Sequence, residues 1–302
     1  MWLFFAFLGP VSWAVSTHID KYLVDRYFRD ADTAVLMLFT ALVGILALPI
    51  IWVFVPGVFS ASWQSIAVMT ASGVMYIAAM LFYLRAIQSE EASVVAPLFQ
   101  ITTIFTFLLA WLMLGETLTL ESGAGAALII GGVLFLSLDA NFQLTAIKPK
   151  VVLGMVACTF ILALANVLFK FYAVRDDFWV TTFWTFAGEA LFGMALLARR
   201  HYRRQIMALV RTHAGALLGV CGANEMINLG GGLGVRYAAM LAPVALVSAV
   251  ASTTTLFVFA VGTAVSYFAP QYGRENLSRS SITRKVIAAV IVTAGVILAG
   301  QH

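Results

Sequence analysis

Ten apolar runs separated by short polar connections organise the chain. They cover about 2–19, 33–55, 63–87, 93–114 and 123–138, then 151–172, 178–197, 214–235, 241–268 and 286–299. Most approach the roughly 20 residues a helix needs to cross the hydrocarbon of a bilayer. Backbone N–H and C=O groups cannot stay unpaired in lipid, so runs of this length are helices. The apolar alternation of membrane strands is missing. The pattern predicts an all-α membrane protein with ten transmembrane helices. The N-terminal stretch, 1–8, lacks a basic flank and a small-x-small cleavage site and continues into Trp13. It reads as a membrane helix and not as a removed leader.

The runs repeat in order. Lys21 closes the first and Lys170 the sixth; Arg85 closes the third and Arg236 the eighth. Ala96-Pro97 opens the fourth and Ala242-Pro243 the ninth, with Glu116 and Glu275 following them. Five spans per unit is an odd number, so the second unit enters the membrane upside down. Two inverted five-helix repeats are a hallmark of secondary transporters.

Composition supports this reading. Of 302 residues, 62% are hydrophobic and only 11% are Asp, Glu, Lys or Arg, against about 25% charged in soluble domains. A water-soluble fold and a disordered chain are both excluded. The formal charge of +4 does not point to nucleic acid, because the basic residues fall in short loops. Fifteen lie on one side of the predicted membrane and only Lys170, Arg175 and Arg236 on the other. The positive-inside rule then places the basic loops in the cytoplasm and both termini outside. Cys158 and Cys221 sit within apolar runs without disulfide or metal spacing and read as packing residues.

The fourth and fifth runs carry Ala96-Pro97-Leu98-Phe99-Gln100, then Leu114-Gly115-Glu116-Thr117-Leu118-Thr119, then a Gly-rich stretch from Gly123 through Gly131-Gly132. This resembles the EamA-type domain of the drug/metabolite transporter superfamily, and the stretches 13–21 and 76–86 fit that domain's first and third helices. The resemblance covers nearly the whole chain as two tandem domains, 1–144 and 145–302. In the second, the Gly-Glu turn becomes Tyr272-Gly273-Arg274-Glu275 within a longer polar insert. The resemblance implies a multi-pass protein of the bacterial inner or plasma membrane, with a central cavity that moves a small metabolite by alternating access. Members of the family more often keep both termini in the cytoplasm. The charge distribution here points the other way.

Intramembrane carboxylates cost about 2.5–3.5 kcal/mol on insertion scales, so each needs a reason. Glu189 lies near the centre of the seventh run, with Thr182 and Thr185 on its face. Glu225 lies near the centre of the eighth, with Asn224 beside it and Asn228 one turn on. Each is either a titrating or substrate-binding acid or a structural hydrogen-bond partner, because burial favours the protonated form. Gly230-Gly231-Gly232 and Gly234 allow either a break in the eighth helix or close helix packing.

Lys170 and Asn166 share a face of the sixth run. The lysine either meets Glu189, Glu225 or an anionic substrate group, or snorkels to the interface. Arg236 and Arg85 have the same alternatives. Gln100 and Thr103, and Ser248, Ser252 and Thr255, form polar stripes that either line a cavity or bond within and between helices. Trp13, Tyr76 and Tyr83 either stack on substrate or anchor at the interface. His18 and Asp20 beside Lys21 read as a solvated helix end, Asp25, Asp30 and Asp32 as a mixed-charge loop with Arg26 and Arg29, and Glu116 as a cap for the fifth helix.

The function these features predict is a secondary transporter, an exporter of small organic metabolites or drugs, with protons as a possible coupling partner and no cofactor. The alternative is an intramembrane enzyme or flippase acting on lipid-linked substrates. Against an enzyme, the chain carries no His-Glu-x-x-His, no Gly-x-Ser-x-Gly and no phosphate-cradling Gly-Lys-Ser or Gly-Lys-Thr.

Overall fold

A computed structural model describes residues 1–27, 32–89, 95, 98–137, 149–268 and 279–299. Every regular element among them is helical: α1 (Trp2–Tyr27), α2 (Thr33–Phe54), α3 (Trp63–Ser89), α4 (Ile101–Leu114), α5 (Leu120–Ser137), α6 (Pro149–Arg175), α7 (Phe178–Ala198), α8 (Arg200–Leu241), α9 (Val244–Ala251), α10 (Thr254–Phe268) and α11 (Arg279–Ala299), with a 3-10 turn at Pro56–Phe59. Ala96-Pro97, Glu275, Arg29 and Asp30 lie outside the described residues, as do the side chains of Lys21 and Asp25.

Among the described residues, six segments are long and apolar enough to cross a membrane: Trp2–Asp20, Trp63–Ala86, Pro149–Arg175, Phe178–Ala198, Val244–Phe268 and Ile282–Ala299. Leu217–Leu241 is the apolar arm of a bent pair, and Thr40–Phe54, Ile101–Leu114 and Leu120–Phe135 are shorter apolar helices. Phe4, Leu46, Trp52, Leu112 and Val290 are exposed on the outside of the bundle, as expected where lipid is the solvent. The protein is a multi-pass membrane protein.

Helix ends follow local chemistry. The Asp32 carboxylate accepts from Ala34 N–H at the start of α2, and that of Asp177 accepts from Trp179 and Val180 N–H at the start of α7. Gly115 ends α4 at φ 65°, a left-handed conformation that glycine adopts without strain. Thr119 accepts from Ser122 N–H at the start of α5, so the cap expected from Glu116 is supplied by a hydroxyl.

Two helices depart from the straight spans the sequence predicts. The chain bends by 113° between Arg200–Thr212 and Leu217–Leu241. Arg200, Arg203, Arg204 and Arg211 keep the first arm at a polar interface, while the second arm is apolar. The ninth run is divided at Ser252 and Thr253 into α9 and α10. There the hydroxyls of Ser252, Thr253 and Thr254 each donate to the carbonyl three residues earlier, a local bonding mode that competes with the helix ladder.

The most extensive packing pairs α1 with α8, α5 with α11, α3 with α6 and α7, and α2 with α7; α4 lies on α6, and α1 also touches α9 and α10. Glycines set the closest approaches. A Cβ on Gly73 would overlap the Thr185 carbonyl, and one on Gly188 that of Thr70, so α3 and α7 touch backbone to backbone. Gly231 faces Ser12 and Gly9, and Gly234 faces Leu8 and the Phe5 carbonyl. The helix runs unbroken through 230–234, so two of these glycines serve close packing on α1.

Candidate functional site: polar groups between the helices

Three polar constellations lie within the bundle, each joining helices from both halves of the chain. The first is Glu225, 6% exposed on α8, which accepts from the Thr40 hydroxyl of α2 at 2.8 Å. Asn228 lies one turn on. Among the described residues no ion pair involves Glu225. Beside it, Asn224 Nδ2 donates to Asp20 Oδ1 at 2.7 Å, and the Ser16 hydroxyl reaches Asp20 Oδ2 at 3.4 Å. The reading of Asp20 as a solvated helix end is therefore corrected: α1 lies so close on α8 that its carboxylate enters the helix interface. His18 Nε2 bonds the Val258 carbonyl at 3.1 Å, so it too is held between helices.

The second constellation centres on Glu189, 5% exposed on α7. Its Oε1 accepts from Arg236 Nη2 at 3.0 Å. The guanidinium lies 5.1 Å from the ring centres of Phe169 and Phe186 and 6.0 Å from that of Tyr76. A planar cation of this kind tolerates a mostly apolar setting, because ring faces and a carboxylate share its charge. The Gly73 and Gly188 contacts hold α3 on α7 and so bring Tyr76 to this group. Thr182 and Thr185, expected beside Glu189, donate instead to the carbonyls of Phe178 and Thr181.

The third constellation contains Lys170, which meets neither Glu189 nor Glu225. Its ammonium pairs with Glu116 and donates to the Ala242 carbonyl at 2.6 Å. The second Glu116 oxygen accepts from Val244 N–H at 2.8 Å. Glu116 thus caps α9 rather than the fifth helix, because the loop after Gly115 carries it across to the turn at Pro243. A cleft of about 320 Å³ beside the pair is lined by Met113, Leu114, Phe171, Val174 and Arg175.

The remaining expected residues are scattered. Asn166 is exposed, whereas Gln100 is buried at the N-terminal end of α4. Trp13 and Tyr76 are half-buried. The two polar stripes meet where Ser248 donates to Thr103 at 3.3 Å, while the Ser252 hydroxyl donates to Ala249 within its own chain segment. Asp20 and Thr40 are the residues sequence reasoning missed. A polar residue at the end of an apolar run looks solvated until the facing helix is known.

Compared with known proteins, residues 1–138 match the EamA-like transporter family. This segment is similar to that family. The family is described as one of transporters, and the apolar helices above fit a membrane protein of that kind. A crystal structure described only as that of a protein shares the fold over 99% of this chain and 96% of its own, with a TM-score of 0.63 and 16% identity. No curated protein matches the sequence.

Proposed function

We propose that this EamA-like chain is a secondary transporter that exports small organic metabolites or drugs from the cytoplasm by alternating access, with proton coupling through Glu225. The observation that carries the coupling is the burial of Glu225 against a neutral hydroxyl, with no ion-pair partner among the described residues. Glu189 has Arg236 to balance its charge, so it suits a fixed electrostatic role, whereas a carboxylate held by the Thr40 hydroxyl is free to gain and lose a proton. Tyr76, Asn224, Asn228, Gln100, Trp13, Ser252, Lys170 and Asn166 are the further candidates for the substrate and ion pathway.

The architecture in this reading is ten spans in two inverted repeats, 1–144 and 145–302, in a bacterial inner or plasma membrane. It is supported by several of the larger helix contacts, which survive exchange of each span with the one five later. The α1–α8 contact answers to α6–α3, α4–α6 answers to α1 on α9 and α10, and α2–α7 and α5–α11 answer to themselves.

The test is proton release or uptake by purified protein on adding amino acids, nucleosides and amphipathic cations, in wild type, Glu225→Gln and Glu189→Gln. Proton movement coupled to one compound and lost in Glu225→Gln is the expected result. Binding without proton movement assigns a uniporter or an ion exchanger instead. Chemical conversion of a lipid-linked compound would replace the transporter with the enzyme alternative.

A further inference from the structure

The first arm of α8, Arg200–Thr212, is docked by one side and bare on the other. Tyr202, Ile206 and Leu209 pack on Leu23 at the end of α1, Val35 at the start of α2, and Leu217 of the second arm. Gln205 Oε1 accepts from Asp32 N–H at 3.0 Å, and its amide nitrogen bonds His201 Nε2 at 2.9 Å. These contacts fix which way the arm is turned. Arg200, Arg203, Arg204 and Arg211 recur at helical spacing, so they project together from the opposite face. They are exposed, as is Arg199 at the start of the arm, and among the described residues none of these guanidinium groups is in an ion pair. The sequence from 190 to 224 holds no Asp or Glu. Asp32, whose backbone meets the arm, uses its carboxylate to cap α2. Membrane orientation depends on how many basic residues a loop carries and is indifferent to the face that carries them. A row on one face is a surface.

The neighbours of the row decide what it faces. Met207, 51% exposed, stands in the middle of it, and the last turns of α7 expose Leu191 and Met194 shortly before Arg199. At the rise of an α-helix, Arg199 sits about 8 Å beyond Met194. That matches the roughly 5–8 Å per side between the edge of the hydrocarbon and the outside of the headgroup layer. Past Arg211 the chain bends by 113° into the apolar second arm, where Leu218 is exposed. Lipid-facing side chains therefore border the row at both ends. We propose that this arginine row is a docking surface for the phosphate groups of anionic phospholipids in the adjoining leaflet. The surface is one that the transporter reading does not use, and the inference stands without that reading. Guanidinium groups offer paired N–H donors that match phosphate oxygens. Each basic residue near an anionic membrane changes binding by about fivefold. A zwitterionic headgroup carries its own cation and gains little from the row. An acidic protein would meet the charge but not Met207 or the apolar borders, whereas a lipid brings acyl chains to both.

The experiment is thermal unfolding of the purified full chain in a neutral detergent, titrated with dioctanoyl phosphatidylglycerol, dioctanoyl phosphatidylcholine, inorganic phosphate or polyglutamate. Phosphatidylglycerol is expected to raise the unfolding temperature saturably, and phosphatidylcholine to act only at about tenfold higher concentration or more. Combining Arg200→Gln, Arg203→Gln and Arg204→Gln is expected to raise the half-saturating phosphatidylglycerol concentration by about a hundredfold, which is about fivefold for each charge. Lysine at the same positions keeps the charges and is expected to restore most of the response. The side chains replaced are exposed and the apolar face of the arm is untouched, so the variants keep the fold. Salt gives a reading that needs no variant: at about 1 M, where charges are screened beyond about 3 Å, the wild-type response is expected to weaken as the glutamine variant's does. Equal responses to the two lipids, or a phosphatidylglycerol response indifferent to the glutamines or to salt, would overturn the proposal. So would saturation by inorganic phosphate, the mark of a free anion site, or by polyglutamate, the mark of an acidic protein partner, at lower concentration than by the lipid.

Discussion

Glu116 and Lys170 form an ion pair that also ties down the start of α9, because the glutamate accepts from Val244 N–H and the lysine donates to the Ala242 carbonyl. One loop of the first half and two helices of the second are thereby fixed at the Pro243 turn. Removing one partner leaves the other charge largely buried. Glu116→Gln or Lys170→Met is expected to destabilise by about 3 kcal/mol, and the double variant by less than the two singles together. Thermal unfolding of the four proteins in one detergent checks this.

The contact of α3 with α7 is a second place to press. Valine at Gly73 or Gly188 drives a side chain into a facing carbonyl, and the helices must part. A loss of about 2 kcal/mol or more is expected, with weaker transport because Tyr76 moves away from Arg236. Alanine at Gly230, where no atom lies near enough to meet a Cβ, is expected to change stability little. Equal losses at all three positions would remove the packing argument.

Arg236 tests geometry apart from charge. Arg236→Lys keeps the cation but loses the plane that lies over Phe169 and Phe186. A cost of about 1–2 kcal/mol is expected, together with reduced transport. Glu189→Gln tests the carboxylate from the other side, and a double-mutant cycle on unfolding measures their coupling.

The Ser248–Thr103 bond predicts a small effect. Hydrogen bonds between membrane helices average about 0.6 kcal/mol, and this one is long at 3.3 Å. Ser248→Ala is therefore expected to cost less than about 1 kcal/mol and to leave flux nearly unchanged. A strong loss of flux in that variant would place Ser248 against the substrate.

How much was legible in the sequence depends on the range of the interaction involved. Apolar runs located the helices because lipid acts on each run separately, and the Gly-Glu turn of the first half pointed to the family that residues 1–138 match. The acids Glu189 and Glu225 stood out because a charge in an apolar run is conspicuous by itself. Their partners did not. Nothing local tells Arg236 to choose Glu189 and Lys170 to choose Glu116, since that depends on which helix faces which. Asp20 was misread for the same reason, and the division at Ser252 and Thr253 was hidden because adjacent hydroxyls are equally compatible with an intact helix. Gly73 and Gly188 drew no notice, for a lone glycine announces its contact only when the neighbour is known.

Among the described residues, all six buried apolar clusters draw side chains from both halves, as where Leu23 and Val35 meet Leu217 and Cys221, or Ile51 and Val58 meet Phe183 and Phe186. Neither half owns an interior. A ribosome that had made only the first five spans would have placed in the membrane a set of helices with their glycine grooves still open, so completion must wait for the last helices to arrive. With so much apolar surface held in common, two separately made halves should find one another in the bilayer.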